Sequence, residues 1–231
     1  MILRTKNGNH QACDTSVLLE YLGVKKDVSG VQKILSDVQL IACVPIQVAG
    51  SREQVTKSDE QVSGLVAGNN DNCFSWTLST FDLDRTGERI DPAGWDFKRY
   101  MENPVVEWSH RYDIPAIGKI EGLVADTTGL HGVLVFNDKE YDPFGWSIGQ
   151  RVKAGVIRAG SVGFRVLEIE IPDRETARDG TDLIFRKQEL LEFSICNVPA
   201  NPFALVNEKR KMKNEKCNFA AHYWGGLINN F

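Results

Sequence analysis

Ser161-Val162-Gly163-Phe164-Arg165-Val166-Leu167-Glu168-Ile169-Glu170-Ile171 is the stretch whose pattern decides the fold class. Apolar side chains recur here with a period of two, Val162, Phe164 and Val166 in one phase and Leu167, Ile169 and Ile171 in the other, which is the spacing of a strand. The phase slips by one residue, so a β-bulge is expected near Val166. Alternation also puts Ser161 and Gly163 on the face opposite Val162 and Phe164, and Gly163 leaves room beside the hydroxyl for the backbone of a bound peptide.

Outward from this strand the texture stays mostly β. Strands are expected over 75–79, over 105–108 behind a proline-bounded turn, over 117–124 and over 130–136. The last two are separated by the turn-forming Asp126-Thr127-Thr128-Gly129. A charged loop over 172–182 precedes further strand texture over 183–196, in one or two pieces. Asp91-Pro92 and Asp142-Pro143 both read as helix starts, with Asp as cap and Pro in the first turn. They predict helices over 93–101 and from 143 to near Gly155, the second carrying Phe144, Ile148 and Val152.

The first fifty residues read differently. Val31, Ile34, Leu35 and Val38 recur at helical spacing behind Ser29, and Val17, Leu18 and Tyr21 follow Asp14. The expected organisation is a small helical N-terminal extension over 1–50, a polar linker over 51–72, the main domain over 73–206, and a basic, polar tail over 207–231. Lys209, Arg210, Lys211, Lys213 and Lys216 of that tail read as a solvated run. The fold class is thus mainly β with flanking helices, an α+β arrangement.

Composition removes several classes of function. Of the 231 residues 42% are hydrophobic and 25% charged, which excludes wholesale disorder. A net charge of -4 gives no general basic field, so the balance argues against nucleic acid or an anionic membrane as partner. Cys13, Cys43, Cys73, Cys196 and Cys217 are odd in number and form no C-x-x-C pair, as expected in a reducing compartment. The opening lacks an apolar targeting core, and the longest apolar stretch, 40–48, is broken by Pro45 and Gln47, so a cytosolic chain without a membrane segment is expected. No dinucleotide or P-loop glycine pattern and no G-x-S-x-G elbow occurs. His10 with Cys13 and Cys217 with His222 lie at opposite ends and lack zinc-site spacing.

Three blocks remain: Asn103-Pro104-Val105-Val106-Glu107-Trp108-Ser109-His110; Ser161-Val162-Gly163-Phe164; and Leu191-Glu192-Phe193-Ser194-Ile195-Cys196-Asn197-Val198-Pro199-Ala200-Asn201-Pro202. In this order and spacing, with Phe81-Asp82-Leu83-Asp84-Arg85 and Gly87 before them and Pro115-Ala116-Ile117-Gly118 after the histidine, the chain resembles the prohead (capsid maturation) serine proteases of tailed bacteriophages. The resemblance implies an assemblin-like β-barrel core, similar to that of the herpesvirus proteases, and catalytic roles for His110 and Ser161. It further implies cleavage of scaffold and capsid proteins, and of the chain itself, inside an assembling prohead in the host bacterial cytoplasm. A homodimer is compatible with it, and no metal or organic cofactor is required. A catalytically silent shell-assembly protein of the same fold is the alternative.

The chemistry of these residues agrees with that implication. A serine hydroxyl needs a neighbouring base to accept its proton, and imidazole suits the task near neutral pH. A third group should orient the imidazole. Glu192 is the candidate, because Leu191, Phe193 and Ile195 alternate onto one face and leave Glu192 on the other with Ser194 and Cys196. Asp113 and Asp126 remain rivals for this place, and His131 is a second histidine to be considered. Oxyanion donors near Gly163 or within 197–201 are not fixed by the sequence.

Overall fold

The computed structural model describes residues 2–4, 10–12, 15–25, 29–33, 39–41, 72–173, 177 and 179–207. Nearly all of the expected linker over 51–72 and of the tail over 207–231 lies outside these residues. The strands are β1 (Ile2–Arg4), β2 (His10–Ala12), β3 (Gly30–Lys33), β4 (Gln39–Ile41), β5 (Cys73–Thr80), β6 (Glu88–Ile90), β7 (Trp95–Asp96), β8 (Val105–Trp108), β9 (Gly118–Ala125), β10 (Gly129–Phe136), β11 (Ala159–Ile171) and β12 (Leu183–Cys196). The described helices are α1 (Thr15–Tyr21) and α2 (Pro143–Lys153). The protein is mainly β.

All these strands belong to one curled sheet in the order β2-β1-β4-β11-β12-β8-β9-β10-β5, with β3 beside β11 and with β6 and β7 beside β12. Its spine is the long antiparallel pair β11 and β12, in which Ser161 stands opposite Ser194 and Gly163 opposite Glu192. The slip expected near Val166 is present as register shifts between Val166 and Ile169, and another shift follows Gly163. β8 runs parallel to β12, placing Glu107 beside Ser194 and Trp108 beside Ile195.

Residues 204–207 curl the sheet by bonding to both of its distant strands. Gly160 N–H donates to the Ala204 carbonyl (2.9 Å) and Val206 N–H to that of Arg158 (2.8 Å), while Thr77 N–H donates to Leu205 (3.0 Å) and Asn207 N–H to Ser75 (3.0 Å). The start of β11 and the edge strand β5 therefore share one short stave, which satisfies backbone groups that an open edge would leave exposed.

Inside the curl lie Trp76, Leu78, Ile120, Leu130, Leu134, Phe164, Phe185 and Phe193, all essentially without solvent contact. Aromatic rings meet edge to face, Phe164 with Phe185 at 5.0 Å and Trp95 with Phe164 at 5.8 Å between centroids. None of the described helices is long and apolar enough to cross a membrane.

Two helical expectations are corrected. Asp91 does cap, accepting from Ala93 N–H at 3.0 Å with Pro92 in the first turn, but the helix stops after a single 3₁₀ turn, Pro92–Gly94. Trp95 and Asp96 then leave it to pair with Gln188 and Glu189 of β12. A second 3₁₀ turn, Tyr100–Glu102, follows, in place of the continuous helix expected over 93–101. The helix expected behind Ser29 is likewise replaced at its start by β3, which pairs with Glu168, Ile169, Glu170 and Ile171 of β11. β4 covers β11 only over Gly163, Phe164 and Arg165, so the far half of β11 has open backbone groups on the side away from β12, and these draw the segment into the sheet against its local period. The helix expected around Val17, Leu18 and Tyr21 is α1.

Candidate active site

β8 ends at Trp108, and the chain turns sharply there because Ser109 and His110 take left-handed backbone angles, φ 51° and 56°. They are the only non-glycine residues with positive φ among those described. Such angles cost of order 1 to 3 kcal/mol per residue and persist where surrounding bonds enforce them. Here Ser109 N–H donates to the Ile195 carbonyl (2.9 Å), continuing the ladder with β12. His110 N–H lies past the end of that ladder and donates instead to the Ser194 hydroxyl (3.1 Å).

The turn delivers the imidazole to β12. His110 Nδ1 lies 2.7 Å from Glu192 Oε1. A carboxylate only accepts, so this contact assigns the proton to Nδ1 and directs Nε2 away from the acid. The Tyr112 hydroxyl donates to the same Oε1 at 2.7 Å, and the Ser194 hydroxyl donates to Oε2 at 3.1 Å. Burial pushes the Glu192 carboxyl up. The hydrogen bond and positive charge of His110, followed by the hydroxyls of Tyr112 and Ser194, outweigh it and hold the group below the ordinary carboxylate range. Glu107, beside Ser194 on β8, is moved the other way, by burial and then by the neighbouring Glu192 charge, with His110 partly offsetting them.

Ser161 occupies the strand on the other flank of β12, directly across from Ser194. Laterally paired residues point to one side of a sheet, so Ser161, Ser194 and Glu107 form a row and Gly163 with Glu192 the next. Ser161 and Glu192 thereby stand on one face of the β11–β12 pair, and the Nδ1 contact with Glu192 brings His110 to that face from the turn after β8. His110, Glu192 and Ser161 are all sheltered, at 7%, 4% and 3% exposure. Ser161 lines a small cleft whose wall carries Leu78, Ile90 and Val162 beside the polar Thr80, Asp84 and Glu88; His110 and Glu192 are not part of that wall.

The other candidates lie elsewhere. Asp113 is an exposed partner of Arg111, whose Nε donates to it at 3.0 Å. Asp126 accepts from Thr128 and Gly129 in the β9–β10 turn, and His131 joins that turn to β5 through Thr128 (2.9 Å) and Thr77 (3.2 Å). Both belong to a turn staple on strands beyond β8.

Gly163 has a different neighbour from the one expected. A Cβ there would stand 2.5 Å from both Cγ and Oε1 of Glu192, so the missing side chain makes room for the acid and not for a bound peptide. Tyr112 is the contact that sequence reasoning missed. It is 44% exposed and two residues past His110, and nothing in the local pattern marks it. Ser194 was visible as a residue sharing the face of Glu192, without a task.

The family model for the caudovirus prohead serine protease matches residues 74–218, more than half of the chain. The chain belongs to this family. His110, Ser161 and Glu192 all fall inside the matched region, whereas α1 and β1 to β4 precede it. The prohead protease of Escherichia phage T5 is 31% identical over 139 residues, an alignment covering 58% of this chain and 61% of that protein. The chain thus spans about three fifths of the length of that curated relative. No solved structure matches this member of the prohead protease family.

Proposed function

We propose that the chain is a serine endopeptidase in which Ser161 is the nucleophile, His110 the general base and Glu192 the group that orients it. The observation that carries this reading is the buried His110–Glu192 contact at 2.7 Å, on the sheet face that also bears Ser161. In the reaction, Ser161 Oγ attacks the scissile carbonyl carbon while His110 Nε2 takes its proton. The tetrahedral intermediate collapses, the C–N bond breaks, and the imidazolium gives its proton to the departing amine. Water then attacks the acyl carbonyl carbon while His110 Nε2 takes its proton, and as the acyl C–Oγ bond breaks the imidazolium returns that proton to Ser161 Oγ. Glu192 keeps the imidazole in its Nδ1–H form and stabilises the imidazolium without accepting the proton itself.

Family membership supports scaffold and capsid-protein segments as substrates, the chain itself as a further one, and the assembling prohead within the host bacterial cell as the place of action. A fold similar to the herpesvirus assemblins and a homodimeric state belong to the same proposal. Intact-mass analysis and labelling with a fluorophosphonate probe test it. The wild-type chain should acquire one phosphonyl group at Ser161 and shed defined fragments over time, and Ser161→Ala should do neither. Identical fragments from both, or no labelling of folded wild type, would favour the alternative, a shell-assembly protein that keeps the fold without the activity.

A further inference from the structure

Ser194 bonds two parts of the site at once. Its hydroxyl oxygen accepts from the backbone N–H of His110 (3.1 Å), and its hydroxyl proton goes to Glu192 Oε2 (3.1 Å). Its side chain has no solvent contact, so neither bond competes with water. The ladder between β8 and β12 closes with Ser109 N–H on the Ile195 carbonyl, and the N–H of His110, the second residue of the left-handed turn, would otherwise be a buried donor without a ladder acceptor. One hydroxyl therefore fixes the backbone that carries the imidazole and the free oxygen of the carboxylate that orients it. Tyr112 and the imidazole both address Oε1, and Ser194 donates to Oε2.

We propose that Ser194 is a positioning residue of the protease, a clamp that locks the His110 turn and the Glu192 carboxylate into one rigid unit facing Ser161. This rests on the reading of Ser161, His110 and Glu192 given above. Removing the clamp lets the turn relax toward ordinary backbone angles and lets the carboxylate rotate, so the imidazole spends less time aligned with the nucleophile. Misplacement of a catalytic group by about 1 Å costs roughly a hundredfold in rate.

The test uses the full-length chain and the rate of fluorophosphonate labelling of Ser161 as a function of pH. In folded Ser194→Ala the rate should fall about tenfold to a hundredfold. Its acid limb should move to lower pH, because a carboxylate held less well stabilises the imidazolium less. Glu107 is the other acid close to this pair, and Glu107→Gln combined with Ser194→Ala should leave the direction of that movement unchanged. Ser194→Thr, which keeps the hydroxyl, should restore most of the rate. Tyr112→Phe, at the exposed margin, should lose less than Ser194→Ala.

A downfield proton resonance from His110 Nδ1–H gives a readout independent of turnover. It should be sharp in Ser161→Ala and broadened or shifted in Ser161→Ala/Ser194→Ala. If Ser194→Ala does not fold, Ser194→Cys, similar in shape and poor in hydrogen bonding, takes its place. Unchanged rate, profile and resonance in a folded variant overturn the clamp, as does failure of both variants to fold, which would make Ser194 a stability residue. If Ser161→Ala is itself still labelled at the site or still sheds fragments, the protease reading fails first, separately from the clamp.

Discussion

Glu192 combines near-complete burial with a charge that persists because three side chains donate or lend charge to it. Replacing it by Gln removes the charge and offers an amide that can bond the imidazole in the wrong sense, so the Nδ1–H form is no longer enforced. Labelling of Ser161 in Glu192→Gln should fall by ~10³-fold or more while the folded state survives, and a variant labelled at the wild-type rate would remove Glu192 from the mechanism. Gly163→Ala tests the same carboxylate by steric means, since the new Cβ would sit 2.5 Å from Cγ and Oε1. Displacing the acid from His110 should cost at least about tenfold in labelling, with Gly163→Ala still folded by circular dichroism. At this scale the sequence showed which residue types stand on which face. Alternation alone put Ser161 with Gly163 and Glu192 with Ser194, and a period of two survives the fold. It could not show that Gly163 exists for Glu192, because that contact depends on the register between two strands whose partners are 29 residues apart.

The two Asp-Pro signals separate what is local in an element from what is not. Asp142 and Asp91 both cap, and both are followed by Pro in the first turn. After Asp142 the helix α2 continues to Lys153, because Ile148 and Val152 face the core and Gly149 lets the helix lie directly on the Phe136 ring. After Asp91 the chain is captured by β12, and a Cβ on Gly94 would overlap the Arg186 backbone. The cap is legible in four residues. The length of the helix is decided by what the next ten pack against. The same distinction gives a prediction for α2. Asp142 accepts from Gly145 N–H (2.9 Å) and from Asn137 Nδ2 (2.9 Å), so Asp142→Ala loses both bonds. A helix-cap loss of about 1 kcal/mol is expected, seen as a lower urea midpoint. Labelling of Ser161 below the midpoint should be unaffected, and a loss of labelling in the folded state would mean that α2 reaches the site through the Trp108–Phe144 ring contact.

Across the whole molecule, the charge on one side of the Ser161 cleft sets how stability responds to pH. Glu88 of β6 is 3% exposed and accepts from Thr15 of α1 (3.1 Å) and from Thr86 (3.2 Å). Burial, and then the nearby Asp84 charge, push its carboxyl up to about 8, and burial raises Asp84 as well. The sign follows directly. Between the ordinary value near 4.5 and about 8 the folded chain keeps a proton on Glu88 that the unfolded chain has released, so unfolding is favoured as pH rises through that interval. Glu192 acts in the opposite sense, its contribution being complete above the ordinary carboxylate range and lost as pH falls below it. Stability should therefore peak in mildly acidic solution and decline toward pH 8. In Ser161→Ala, chosen so that no self-cleavage disturbs the measurement, the urea midpoint should be lower at pH 8 than at pH 5.5. Ser161→Ala/Glu88→Gln should flatten that decline, because a neutral amide occupies the buried site at every pH and can still meet Thr15 and Thr86. If both chains decline equally, the pH response has another origin; if neither declines, the buried carboxyl is not holding its proton, and water must reach the junction of α1 and β6 that the fold closes.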